Sequence, residues 1–254
     1  MSKAEIFRAL HLRRPPGEPL ILPGPWDAES ARVLEDAGFP ALATPSAAVA
    51  ASLGYADGST PADEMFAAVA RIARAVRVPV SADVEDGYVL APRELVERLL
   101  EAGVVGCNLE DSTGGVLKDP QEQADRLAAV RSAAGDELFV NARVDTFLHG
   151  VTDAGPAIAR AAAYVAAGAD CVYPIGAPAA MVPLLRSGIQ GPLNALAWLD
   201  GQGPSPAELG GLGATRITFG GGLRRAADAA LRRTAEALVT APGLPQSMDR
   251  PGVL

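Results

Sequence analysis

The sequence predicts an α/β protein folded as one (β/α)8 barrel. Three observations carry that expectation. Eight short apolar or β-branched runs recur with helical segments between them, near 20–22, 40–44, 79–83, 104–109, 138–142, 170–173, 192–196 and 215–219. Their starts lie roughly 20 to 40 residues apart, the span of one helix and two loops in a βα unit. Four junctions share one design. In DAGFPALAT, EAGVVGCNLE, AAGADCVYP and LGATRITFG a helix ends at Gly38, Gly103, Gly168 or Gly213 and a strand begins about two residues later. A doubly wound open sheet is the competing layout, but no GxGxxG follows the first strand.

The elements follow in order. An N-terminal helix mixes charged and apolar residues and carries His11, expected at the surface. After the first strand, Trp26 is expected against the barrel strands, with Asp27 as a helix N-cap. The second strand ends at Thr44-Pro45-Ser46, and the loop beyond it carries Asp57. Strand three, VPVSADVEDGY, ends in Asp83 and Glu85; strand four, VVGCNLED, ends in Glu110 and Asp111. Strand five, LFVNARVDTF, ends in Arg143 and Asp145. Strand six runs into Tyr173-Pro174-Ile175-Gly176, and strand seven contains Asn194. Segment 201–208 reads as a loop. A last helix near 226–238 is followed by a loose tail from about 241. No linker divides the chain, so one domain over 1–254 is expected.

Composition narrows the function classes. The chain of 254 residues is 49% hydrophobic and 20% charged, which is packed globular protein rather than disorder. Thirty acidic against 22 basic residues give a net charge of -8, without a basic run, so neither nucleic acid nor a membrane surface is an expected partner. Cys107 and Cys171 stand far apart in apolar runs, as buried thiols of a reducing compartment do. No signal peptide or membrane anchor is read at the N-terminus, and a cytoplasmic location is expected.

In a barrel the chemistry sits at the carboxyl ends of the strands. Strand alternation points Asp83 and Glu85 the same way, and Glu110 ends the next strand. Three carboxylates converging on one mouth repel unless neutralised. A hard divalent cation, Mg2+ or Mn2+, held by Asp83, Glu85 and Glu110 with waters, is the simple solution. The bland alternative is helix capping, expected for Asp86 and for Asp111 with Ser112. With Arg143 on the following strand, the substrate is expected to be anionic. The Gly114-Gly115 pair makes the loop after strand four a plausible gate, with Tyr55 and Thr113 as lid contacts.

The same residues bring a family into view. LPGPWDAESARVLEDAGFPALATPSAAVAASLGYADG, SADVEDGY, NLEDS, NARVDTF, PLNALA and ITFGGGL, in that order from about residue 7 to 238, resemble the isocitrate lyase/phosphoenolpyruvate mutase superfamily, and most of all its phosphoenolpyruvate mutase-like branch. The resemblance implies a barrel whose last helix is exchanged with a neighbour in a homotetramer built as a dimer of dimers. It implies Mg2+ and a 2-oxo or 2-hydroxy acid that passes through an enolate-like intermediate. It makes Asp83 the acid nearest the metal, with Glu85 and Glu110 acting through water. Arg143 would contact substrate oxygens, and Ser46 with the amides around Ala47 would take a carboxylate. Asp57 would lie near the metal-side oxygens, and Asn194 would face the substrate.

Departures from the family pattern narrow the reaction. The loop DSTGGVLKDP has neither the cysteine nor the histidine of the isocitrate and methylisocitrate lyases, and Lys118 is its one candidate acid. Tyr173-Pro174-Ile175-Gly176 has neither the glutamate of the lyases nor the histidine of the phosphomutases. Gly24, Pro45 and the Tyr88-Val89 pair also depart. The expected activity is carbon–carbon lyase or decarboxylase chemistry. The alternatives are a P–C bond enzyme, of the phosphonomutase or phosphonopyruvate hydrolase kind, and a barrel that binds a keto acid without turnover.

Overall fold

Ser2 caps the first helix through a reciprocal pair with Glu5, and α1 (Lys3–Leu12) follows it. In this computed structural model, residues 1–201 and 203–240 are described. The strands are β1 (Leu20–Ile21), β2 (Leu42–Thr44), β3 (Val80–Asp83), β4 (Gly106–Leu109), β5 (Ser112–Thr113), β6 (Val116–Leu117), β7 (Phe139–Val144), β8 (Cys171–Pro174), β9 (Asn194–Leu196) and β10 (Arg216–Thr218). The further helices are α2 (Ala28–Asp36), α3 (Ser46–Leu53), α4 (Ala62–Ala75), α5 (Pro92–Glu101), α6 (Pro120–Ala134), α7 (Ala154–Ala166), α8 (Val182–Gly188), α9 (Pro206–Gly211) and α10 (Gly222–Thr240). Each of the eight expected runs contains a strand.

Two parallel ribbons, β2-β3-β4-β7-β8 and β1-β10-β9, close into one barrel. The seams are backbone bonds: Ala43 N–H to Pro23 O at 3.1 Å, and Val172 N–H to Pro192 O at 3.1 Å. The four junction glycines take φ of 93, 79, 99 and 112°, the left-handed conformation that a helix end followed at once by a strand requires.

Strand alternation splits the core in two. Outward residues such as Leu42, Val80, Leu109, Val140 and Ile217 pack under Met65, Ile72, Leu95, Leu127 and Tyr164 of the helices. Inward residues near the strand starts, Leu20, Ala41, Phe139 and Cys171, meet Phe7 of α1, which closes that end. Both cysteines are buried and free.

Several expectations need correction. His11 is 5% exposed, not a surface residue: its ring stacks on Phe139 at 4.1 Å and turns an edge of Phe7 toward it at 4.6 Å. The apolar barrel end has room for a flat ring, which a helical pattern does not reveal. The loop expected over 201–208 ends at Ser205, and its last three residues belong to α9, which Ser205 and Glu208 start with a capping box. The loop after β4 is a tight hairpin of β5 and β6 turning at Gly114 and Gly115. Along α10, every residue from Ala229 to Thr240 is exposed, including Leu231, Leu238 and Val239, while Arg224 lies over the Trp26 ring at 5.8 Å. The tail expected from about 241 lies outside the described residues. No described helix is long and apolar enough to cross a membrane.

Candidate active site

At the carboxyl ends of the strands lies a cavity of about 500 Å³ walled by Asp57, Glu85, Asp86, Tyr88, Glu110 and the hairpin from Ser112 to Gly115. Asp83 ends β3 beside it, and its carboxylate is anchored on both oxygens. Oδ1 accepts the Glu85 N–H at 3.2 Å, and Oδ2 accepts from Asn108 Nδ2 at 3.4 Å. Glu85 reaches the cavity by a route other than the alternation assumed from sequence. The strand stops at Asp83, and Glu85 turns at φ 52°. Tyr88 and Val89 share that left-handed backbone at 54 and 61°, which a β-branched residue adopts only under constraint. Three such residues in five place stored strain beside the carboxylates.

Charge in the site is unbalanced in a specific way. Burial and the neighbours Asp83, Asp57 and Asp86 push Glu85 up to about 7. Its Oε1 is buried without a hydrogen bond of normal geometry, and the Tyr88 hydroxyl near the carboxylate offsets only part of the rise. Burial and Asp83 push Glu110 upward too, against the pull of Arg143, with which it pairs directly. Asp83 is likewise raised by burial. Burial opposes the charge on Arg143, but Asp83, Glu110 and Asp145 outweigh it and fix the guanidinium as a cation. Arg143 donates from Nε to Asp145 Oδ1 at 2.9 Å.

Asp86 and Asp111 are not helix caps. Asp86 accepts from Thr113 Oγ1 at 2.6 Å, tying the hairpin to the β3 loop. Asp111 is fully buried and accepts from Asp145 N–H at 2.8 Å, Tyr164 Oη at 2.8 Å and Arg160 Nη1 at 3.0 Å. Ser112 donates to Asp145. This network behind Arg143 was not legible in the sequence, because its members come from three separate elements.

The remaining expected residues are not on the wall of this cavity, and Asn194 lines a separate one of about 240 Å³ with Pro174, Leu193, Leu196 and Trp198. Ser46 is buried as the first residue of α3, whose first turn has no side-chain cap and presents the amides of Ser46 and Ala47. Asn194 begins β9; its Oδ1 accepts from Thr218 at 3.3 Å, and its buried Nδ2 has no partner. Lys118, half-buried, donates to Glu110 O at 3.4 Å, and burial lowers its pKa. Tyr55 donates to Glu64 at 2.6 Å instead of meeting the hairpin. Tyr173, buried beside these groups and pushed up to about 12 by burial, holds the end of β8. Gly24 and Pro45 are packed closely against each other. A Cβ on Gly24 would lie 2.8 Å from Pro45 Cδ and 3.1 Å from Ala43 O.

Among the described residues, no three Asp, Glu, His or Cys side chains close on a single point. The donor set is nevertheless all oxygen, with one buried carboxylate oxygen lacking a hydrogen bond of normal geometry, which fits a hard cation that keeps waters between itself and some ligands.

The phosphoenolpyruvate phosphomutase family profile matches residues 7–239. The chain belongs to the isocitrate lyase/phosphoenolpyruvate mutase superfamily. An uncharacterized protein of Mycobacterium tuberculosis strain H37Rv is 34% identical over 244 residues, 95% of this chain and 92% of that one. A crystal structure from Burkholderia cenocepacia J2315, named provisionally as a phosphonomutase, is 40% identical with TM-score 0.84, covering 92% of this chain and 99% of its own. The crystal structure of 2,3-dimethylmalate lyase matches with TM-score 0.81 at 29% identity over 98% and 92% of the two chains. Named relatives in the superfamily are enzymes, lyases and mutases. The barrel of this chain is thus the superfamily barrel.

Proposed function

We propose that the chain is a Mg2+-dependent carbon–carbon lyase or decarboxylase acting on a small 2-oxo or 2-hydroxy dicarboxylate through an enolate-like intermediate. One observation carries this reading: Asp83, Glu85 and Glu110 gather beside one cavity, where among the described residues the single ion pair to any of them is that of Arg143 with Glu110, and Glu85 Oε1 makes no hydrogen bond of normal geometry. Asp83, Glu85 and Glu110 would hold the ion, directly or through water. Bound Mg2+ (Mn2+ would serve alike) would stabilise charge developing on substrate oxygens. Arg143, held as a cation, pairs with anionic oxygens of the substrate in a preorganised position. Ser46 and the Ala47 amide receive a carboxylate at the helix start. Asn194 Nδ2 donates to the bound acid, Asp57 polarises its metal-side oxygens, and Lys118 serves as the loop acid. Closure of the hairpin excludes water.

The similarity to 2,3-dimethylmalate lyase along 98% of the chain supports carbon–carbon chemistry. Neither cysteine nor histidine stands on the hairpin, which speaks against isocitrate itself as substrate. The P–C bond reading is favoured by one observation, the 40% identity to the Burkholderia structure. A panel of oxaloacetate, substituted malates and phosphonopyruvate with Mg2+, followed by 1H and 31P NMR, separates the two. New 1H resonances from a carboxylate substrate, abolished by EDTA and by Asp83→Ala, are expected. Changes confined to 31P would select the P–C enzyme, and ligand-induced melting shifts without product would select a binding barrel. We read the enzyme as a cytoplasmic homotetramer, a dimer of dimers, in which the exposed apolar residues of α10 meet a neighbouring subunit.

A further inference from the structure

Among the described residues Arg216 is the largest fully buried side chain, at 0% exposure. A guanidinium out of water normally takes a carboxylate partner. Among the described residues Arg216 has no ion pair at all. Its contacts are with two neutral groups: Nη1 lies 3.5 Å from His11 Nε2, and Nη2 donates to Asn108 Oδ1 at 3.3 Å. The histidine is set for this contact. Its Nδ1 lies 2.8 Å from Phe7 O and carries the proton, so Nε2 turns its lone pair toward the guanidinium.

Asn108 is the turning point. Its Oδ1 also accepts from Asn141 Nδ2 at 2.8 Å. Two donors converging on one oxygen fix which way the amide faces. Nδ2 is thereby turned toward Asp83 Oδ2 at 3.4 Å, while the Glu85 N–H holds Oδ1. The chain His11–Arg216–Asn108–Asp83 runs from the helix that closes one end of the barrel to the carboxylate at the other. It crosses the barrel interior through inward positions of β10, β4 and β3.

We propose that Asn108 and Arg216 are positioning residues for Asp83: Arg216 fixes the Asn108 amide, and that amide sets the carboxylate for a divalent cation. The inference rests on the metal-dependent reading above and deepens it. A buried arginine without a carboxylate is costly as packing alone, and an apolar side chain would fill its space more cheaply. Its placement is explained by the direction it imposes on Asn108. Anchors behind a metal ligand are worth about 10- to 100-fold in metal affinity.

The test is calorimetric titration of Mn2+ into the purified full chain, with circular dichroism and thermal melting on the same samples. Asn108→Leu keeps the volume and the Arg216 charge but removes the donor to Asp83. It is expected to bind Mn2+ about 10-fold more weakly while retaining the wild-type spectrum. Arg216→Lys keeps the charge but loses the fork, and is expected to fall between the two. An Asn108→Leu affinity equal to wild type overturns the inference and leaves the proposed function standing. Should that variant not fold, Arg216→Lys carries the test, and unchanged Mn2+ affinity there overturns it equally. A wild-type chain that takes up no Mn2+ at millimolar concentration overturns both readings.

Discussion

Asp145 holds Arg143 from behind. The Nε–H of Arg143 meets Asp145 Oδ1 at 2.9 Å, and Asp145 is itself fully buried, with its own N–H given to Asp111. The cation that faces the cavity is therefore aimed by a carboxylate the substrate never reaches. Removing one partner of such a pair leaves an uncompensated buried charge. Asp145→Ala is expected to cost about 3 kcal/mol of stability, read by urea denaturation, and to lower kcat/KM at temperatures where the variant is folded.

Ser112 anchors the base of the hairpin on Asp145, and its tip is latched to the β3 loop by an exposed hydrogen bond from Thr113 to Asp86. A bond of this kind contributes about 1 kcal/mol, or roughly fivefold in an equilibrium. Thr113→Val is expected to leave the melting temperature within a degree or two of wild type. It is expected to raise KM by about fivefold and to speed proteolytic nicking at Gly114-Gly115.

His11 makes stability depend on pH with a definite sign. Burial first, and Arg216 second, lower its pKa to about 3. The unfolded chain binds a proton at this residue near 6.5 and the folded chain does not. Its contribution is therefore fully present above about pH 6.5 and is lost as pH falls from there through about 3. Glu85, raised to about 7, contributes with the opposite slope. The difference between wild type and His11→Gln isolates the histidine. Between pH 6.5 and 5 the wild type is expected to lose up to about 1.4 kcal/mol per pH unit more than the variant. Chemical denaturation across that range checks it; parallel curves would remove the histidine as the cause.

Gly24 and Pro45 form a matched pair. With only 2.8 Å between a Cβ at Gly24 and Pro45 Cδ, Gly24→Ala is expected to cost about 1–3 kcal/mol by overpacking. Pro45→Ala in the same chain is expected to return part of that loss, a coupling a double-mutant cycle measures. Additive costs would mean that the Ala43 carbonyl, not the proline ring, sets the limit.

The sequence by itself determined the barrel and the rim of the site. Eight apolar runs at βα spacing, four of them joined to the preceding helix by turn chemistry that glycine serves, leave little freedom in strand order, because parallel neighbours need a crossover. Asp83, Glu85 and Glu110 were readable as one group, since residues at the carboxyl ends of barrel strands face the same mouth, while the loop residue Asp57 joined them only through the family resemblance. Tertiary structure decided the rest. Glu85 enters the cavity through a left-handed turn, not through strand alternation. Asp86 and Asp111 became a latch and a buried hub rather than caps. His11, on a helix that looks amphipathic and exposed, and Arg216, an ordinary charge in an eighth strand, meet inside the barrel. Periodicity reports only which face of an element is apolar. Which polar groups share the interior depends on how strands 100 residues or more apart are staggered against each other, and that is fixed only when the barrel closes.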